Sequence, residues 1–170
     1  MKNITLITLL ASISLIAGGD VAPSTVMPIP STNCKDERIY IENDAKLIWQ
    51  DQFYTDTEEG AYKNERSFGK AGNLNHASRY CRNLSYAGYT DWRLPSSDEL
   101  KNLHDKDNHP FTYNTDSDFW TSTPTTENKY LVIFPADAQQ YARSPKQSNY
   151  VRCVRCYTGK NAYRGSIIIK

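Results

Sequence analysis

Residues 77–104, ASRYCRNLSYAGYTDWRLPSSDELKNLH, hold two short helical patterns and the corner that joins them. Leu74, Ala77, Cys81 and Leu84 recur at spacings of three and four, the apolar stripe of an amphipathic helix. Ala87-Gly88-Tyr89 breaks that period. Ser96-Ser97-Asp98-Glu99 then has the form of a capping box: the Ser96 hydroxyl accepts from the Glu99 amide, and the Glu99 carboxylate accepts from the Ser96 amide. Pro95 stops the helix from extending backwards, because it lacks an amide hydrogen and its ring clashes with a preceding turn. Leu100 and Leu103 supply the buried side. The pattern predicts two packed helices, with Trp92 filling the corner and Arg93 paired to Asp91 or Glu99.

Working outward, Arg38-Ile39-Tyr40-Ile41 and Lys46-Leu47-Ile48-Trp49 read as a hairpin turning at Glu42-Asn43-Asp44. Residues 52–72 are polar and glycine-bearing and read as a surface loop, as do 105–118 and 135–149. Phe119-Trp120-Thr121-Ser122 opens a second sheet region. Tyr130-Leu131-Val132-Ile133-Phe134 is the clearest strand, and residues 150–156 form a closing one. The tail, 157–170, carries Ser166-Ile167-Ile168-Ile169, a further edge strand by composition.

Met1-Lys2-Asn3 followed by an apolar run from Ile4 to Ile16 reads as a secretory signal peptide, with cleavage expected after Gly19. The run falls short of the ~20 apolar residues a spanning helix needs, so no membrane span is expected after cleavage. Gly19 stands where a lipobox would carry cysteine. Residues 20–35, with Pro23, Pro28 and Pro30, read as a flexible tether, which leaves a domain at 36–156.

Without Lys2 the mature chain has 19 basic and 19 acidic side chains, and a neutral exported chain argues against nucleic acid as a partner. The charge is uneven. From Tyr130 to Lys170 there are seven Lys or Arg against the single Asp137. Such a separation steers anionic ligands to one face, unless the charges are paired across the fold.

The four cysteines, Cys34, Cys81, Cys153 and Cys156, point to a disulfide framework in an exported chain, and four allow three pairings. Residues three apart on a strand face opposite ways, which disfavours a bond between Cys153 and Cys156. Their CxxC spacing would suit redox chemistry at a helix N-terminus, but here it lies in a β-branched run. One CxxC without a second ligand pair is a poor zinc motif.

Asn114, Asp116 and Asp118 place oxygens at alternate positions, with Asp105, Asp107 and Asn108 nearby. Calcium is the metal such oxygens suit; the alternative is a solvated loop of Asx turns. No cofactor is otherwise expected. His76, His104 and His109 lack zincin spacing and no serine sits in a nucleophile elbow, so no catalytic residue is nominated. Trp49, Trp92 and Trp120 read as core. Among twelve tyrosines, Tyr54, Tyr62, Tyr113, Tyr130, Tyr141, Tyr150 and Tyr157 fall in or beside loops, where amphipathic rings either bind sugars and proteins or edge the core with wet hydroxyls.

Tyr80-Cys81, Gly88-Tyr89, Asp91-Trp92-Arg93-Leu94-Pro95 and Glu99-Leu100 together resemble the signature of the Lcl C-terminal domain family. Leu47-Ile48-Trp49-Gln50-Asp51, Phe119-Trp120-Thr121-Ser122-Thr123 and Val151-Arg152-Cys153-Val154-Arg155 resemble, in order, its opening, central and closing strands. Leu74 or Asn75 stands where the family usually has tryptophan. The resemblance implies an α+β, C-type-lectin-like fold: two short helices on small antiparallel sheets, distantly shared with sulfatase-modifying proteins. It also implies Cys81–Cys153, leaving Cys34–Cys156 as the second bridge.

The chain is therefore expected to be exported (periplasmic, outer-surface or secreted) and to act as a non-catalytic binding or adhesion module. Its loops would meet a glycan, an anionic polymer or an envelope protein through Tyr141, Arg143 and Lys146. The alternatives are an extracytoplasmic enzyme related to the sulfatase-modifying group, which predicts a free thiol, and a structural part of an envelope assembly.

Overall fold

A computed structural model describes residues 37–104 and 110–157. The leader, the tether with Cys34, the oxygens at 105–108 and the tail strand at 166–169 lie outside the described residues. In order the elements are β1 (Ile39–Glu42), β2 (Leu47–Gln50), α1 (Asp56–Lys63), β3 (Ala71–Gly72), α2 (Leu74–Asn83), α3 (Ser97–His104), β4 (Phe119–Pro124), β5 (Tyr130–Phe134), β6 (Gln139–Arg143), β7 (Asn149–Tyr150) and β8 (Val154–Cys156). They make an α+β fold with two sheets, β1-β2-β8 and β3-β7-β4-β5-β6.

The hairpin forms with Ile39 opposite Gln50 and Glu42 opposite Leu47. Helix α2 buries Ala77 and Cys81 from the expected stripe. Helix α3 begins with its capping box formed: the Ser96 amide donates to Glu99 Oε2 at 2.8 Å and the Glu99 amide donates to Ser96 Oγ at 3.2 Å. Its first turn is fastened to β4, since the Ser97 amide donates to Thr123 Oγ1 at 2.9 Å and the Ser122 amide to the Pro95 carbonyl at 2.8 Å.

Three expectations need correction. Among the described residues there are three helices, not two, because residues 52–72 contain α1. That helix is polar and buries only Glu58 and Ala61, so it shows no apolar stripe, yet Thr55 and Glu58 form a complete capping box. The Glu58 carboxylate goes further, accepting from the Lys70 amide at 2.7 Å and the Lys70 ammonium at 2.9 Å. The turn carrying Lys70 is built around that carboxylate: Gly69 has φ of 53°, and a Cβ there would run into Glu58. Second, residues 135–149 contain β6, an edge strand exposed along nearly its whole length, again without apolar alternation. Third, the closing strand is two strands. β7 pairs with β3 and, in parallel, with β4, whereas β8 pairs with β2. Residues 151–153 carry the chain from one sheet to the other and hold Cys153, which is bonded to Cys81.

All three tryptophans are core. Trp92 and Trp120 share one cluster with Ala77, Cys81 and Cys153, and Trp49 packs in a second with Leu100, Leu103 and Phe119. Arg152 is buried between the sheets, 1 % exposed, with the Phe111 ring 3.5 Å from its guanidinium carbon. It donates to the Gln50 carbonyl at 3.2 Å and pairs with Asp51 at 3.6 Å; the Asp51 carboxylate also accepts from the Thr112 and Tyr113 amides.

Candidate binding site

The outer face of α2 is polar because its apolar positions are used inward. Asn75, Ser78 and Arg82 recur at spacings of three and four on that outer face and line an open cleft of about 750 Å³. Two other segments close around it. The turn between β4 and β5 contributes Thr125 and Asn128, and Tyr130 follows at the start of β5. This turn is held by the Thr125 amide donating to the Lys129 carbonyl at 2.8 Å, with Asn128 at φ of 55°, a conformation asparagine tolerates. The turn after β6 contributes Pro145 and Lys146 and is pinned to the helix where the Leu74 amide donates to the Pro145 carbonyl at 3.1 Å.

The charge lining this cleft is positive. No carboxylate lines it, and neither Arg82 nor Lys146 has a side-chain partner among the described residues. Most other cations are used. Lys63, Lys70, Arg93, Lys129, Arg143, Arg152 and Arg155 each face a carboxylate.

The three residues nominated for ligand contact are thus divided. Arg143 is held by Asp118 at 2.7 Å and lies 5.2 Å from the Tyr141 ring, so its charge is already answered on β6. Tyr141 is exposed. Lys146 stands at the cleft with Arg82, a residue the sequence reading passed over although its place on the polar face of α2 was visible. The loop tyrosines divide too: Tyr54 and Tyr150 pack with Phe119, Tyr62 stacks on Tyr150 at 4.8 Å, and Tyr130 reaches the cleft. Burial holds the Tyr54 phenol well above its usual pKa and pushes Tyr150 up to about 12. Asn114 and Asp116 are exposed, while Asp118 is the partner of Arg143. A cation at Asn114, Asp116 and Asp118 would have to displace a guanidinium. Among the described residues no three His, Cys, Asp or Glu come together as a metal-binding group.

The corner uses its charge differently. Asp91 receives Arg155 through two hydrogen bonds, at 2.6 and 3.0 Å, and Arg93 grips Glu99 the same way, at 2.8 and 2.6 Å. The Arg93 amide and carbonyl pair with Val154, which locks the corner to β8. The family model of the Lcl C-terminal domain matches residues 38–155. The chain belongs to the Lcl C-terminal domain family. No curated protein matches it. In this Lcl C-terminal domain the signature triplet is a clamp. Asp91 holds Arg155, Trp92 is buried and donates to the Tyr89 carbonyl at 3.2 Å, and Arg93 reaches the capping glutamate of α3. The hydrogen bond from Arg155 keeps the Asp91 carboxyl below its usual pKa. Burial works to raise the Glu99 carboxyl, but the Arg93 guanidinium and the Ser96 amide outweigh it and lower the pKa. Beside this clamp Cys156 is exposed and has no disulfide partner among the described residues; its expected partner, Cys34, lies outside them. Among the described residues no helix is long and apolar enough to cross a membrane.

Proposed function

We propose that this Lcl C-terminal domain is an exported, non-catalytic binding or adhesion module on a C-type-lectin-like scaffold, and that its ligand is a glycan or an anionic polymer. The observation that supports this reading is the cleft beside α2, where, among the described residues, Arg82 and Lys146 have no side-chain partner and no carboxylate opposes them. Unanswered charge in a concave, otherwise neutral surface attracts the opposite charge and orients it. The direct test is retention of the full exported chain on an immobilised acidic polysaccharide and on a neutral one. Retention on the acidic polymer alone, abolished in Arg82→Ala/Lys146→Ala and with the polymer recovered at its original length, is the expected result. Equal retention of the double variant, or a shortened polymer, overturns it.

A second reading has one observation in its favour. The exposed Cys156 thiol beside Arg93 suits an extracytoplasmic thiol enzyme related to the sulfatase-modifying proteins. That reading requires thiol counting with peptide mapping to find Cys156 reduced in exported protein, and Cys156→Ser to abolish a turnover. Recovery of a Cys34–Cys156 peptide excludes it.

A further inference from the structure

Among the described residues the two sheets have four edges, and they are not equally closed. The outer side of β8 is met by the corner, through the amide and carbonyl of Arg93 on Val154. β3 is two residues long, too short to seat another strand. β6 is exposed at four of its five residues and offers an added strand little to bury against. β1 differs. The Asp51 amide donates to the Arg38 carbonyl at 3.0 Å, and bonded pairs alternate along an antiparallel ladder. Tyr40 and Glu42 therefore bond toward β2, while Ile39 and Ile41 turn their amides and carbonyls outward. The Gln50 amide agrees: opposite Ile39, it donates at 2.9 Å to the Cys153 carbonyl and not to β1. No described strand receives the outward groups of β1. Both its faces are nonetheless packed. Ile39 and Ile41 join the cluster of Trp92 and Trp120, and Tyr40 meets Phe111 in the second cluster at 5.9 Å. Tyr40 and Ile41 are left only half-buried.

We propose that this edge seats the chain's own tail, with Ser166-Ile167-Ile168-Ile169 adding antiparallel to β1 as the fourth strand of its sheet. The Tyr157 amide donates at 2.8 Å to the Lys46 carbonyl in the turn between β1 and β2. The chain thus leaves β8 at the end of the sheet where β1 finishes. β8 and β1 are both antiparallel to β2, so a chain turning back from that end runs antiparallel to β1. Crossing from the line of β8 to the far side of β1 takes three strand spacings, about 14 Å. Residues 158–165 span up to about 26 Å when extended. The four tail residues match the four of β1, which sets Ile167 opposite Ile41 and Ile169 opposite Ile39. Ile167 and Ile169 then extend the face of Ile39 and Ile41, and Ile168 extends that of Tyr40. An unbroken apolar run is what a strand covered on both faces needs.

The test is amide hydrogen exchange followed by NMR on the full exported chain, comparing the natural sequence with Ile168→Asp/Ile169→Asp. The Ile39 and Ile41 amides are expected to exchange slowly in the natural chain at every protein concentration. In the variant they should exchange on the order of tenfold faster, while the Tyr40 amide, bonded toward β2, keeps its rate. Fast exchange of Ile39 and Ile41 in the natural chain means an open edge and overturns the proposal. Slow exchange that survives in the variant puts another segment on β1, and slow exchange that fades on dilution puts a second copy there; either overturns it.

Discussion

The corner and the cleft lie on the same chain and use the same kinds of residue, yet they spend charge in opposite ways. At the corner Arg93 and Arg155 are each gripped by a carboxylate through two hydrogen bonds, and the Arg155 guanidinium rests 3.9 Å from the Tyr89 ring. At the cleft Arg82 and Lys146 have no side-chain partner among the described residues. The residue type does not decide the role; whether the fold delivers an acid to it does. The uneven charge of the C-terminal third illustrates this, since Arg143, Arg152 and Arg155 are paired and Lys146, among the described residues, is not. The family signature thus marks what holds the domain together, and the ligand surface proposed for it lies elsewhere.

Substitutions should separate the two regions, and the largest effects belong on the structural side. Arg152→Met leaves Asp51 buried with only its two amide donors and should cost about 3–5 kcal/mol by chemical denaturation. Cys153→Ser opens a loop closed across 72 residues, and the chain-entropy model puts that loss at roughly 4 kcal/mol. Ser96→Ala removes the cap of α3 and should cost about 1 kcal/mol. Arg82→Gln and Lys146→Gln should shift stability by less than about 0.5 kcal/mol, since both side chains are exposed and unpaired. If either cleft variant unfolds the domain, the contrast fails.

Acid should find the same boundary. Asp91 and Glu99 have lowered pKa values, so their contribution is complete above the ordinary carboxylate range and is lost as pH falls through the depressed folded values. Stability should therefore decline below about pH 4, and Asp91→Asn/Glu99→Gln should flatten that decline in acid titrations followed by circular dichroism. Among the described residues the cleft has no carboxylate to protonate, so its variants should leave the acid limb unchanged.

The corner was legible because its signals are local. The apolar stripe of α2 and the Ser96–Glu99 box each lie within one or two turns of chain, and both formed. Helix α1 escaped notice because it has no stripe, although its Thr55–Glu58 box is the same device in plainer surroundings. Strand β6 escaped for a related reason: an exposed edge strand has no buried side to leave a pattern. The division of the closing strand depends on partners in two different sheets, and no local period records that. At the site, Lys146 was visible as a loop cation. Arg143 looked equally available, because nothing near it in sequence announces Asp118, 25 residues earlier. Arg82 was missed because the cleft exists only once the turn at Pro145 docks on Leu74.

The most direct test of this division of labour is to map backbone and side-chain NMR shifts of the full exported chain as an acidic oligosaccharide is added. Saturable shifts at Asn75, Ser78, Arg82, Tyr130 and Lys146, with Asp91, Arg93, Glu99 and Arg155 unmoved, are what the structure predicts. Shifts centred on the corner residues, with the face of α2 silent, would contradict it.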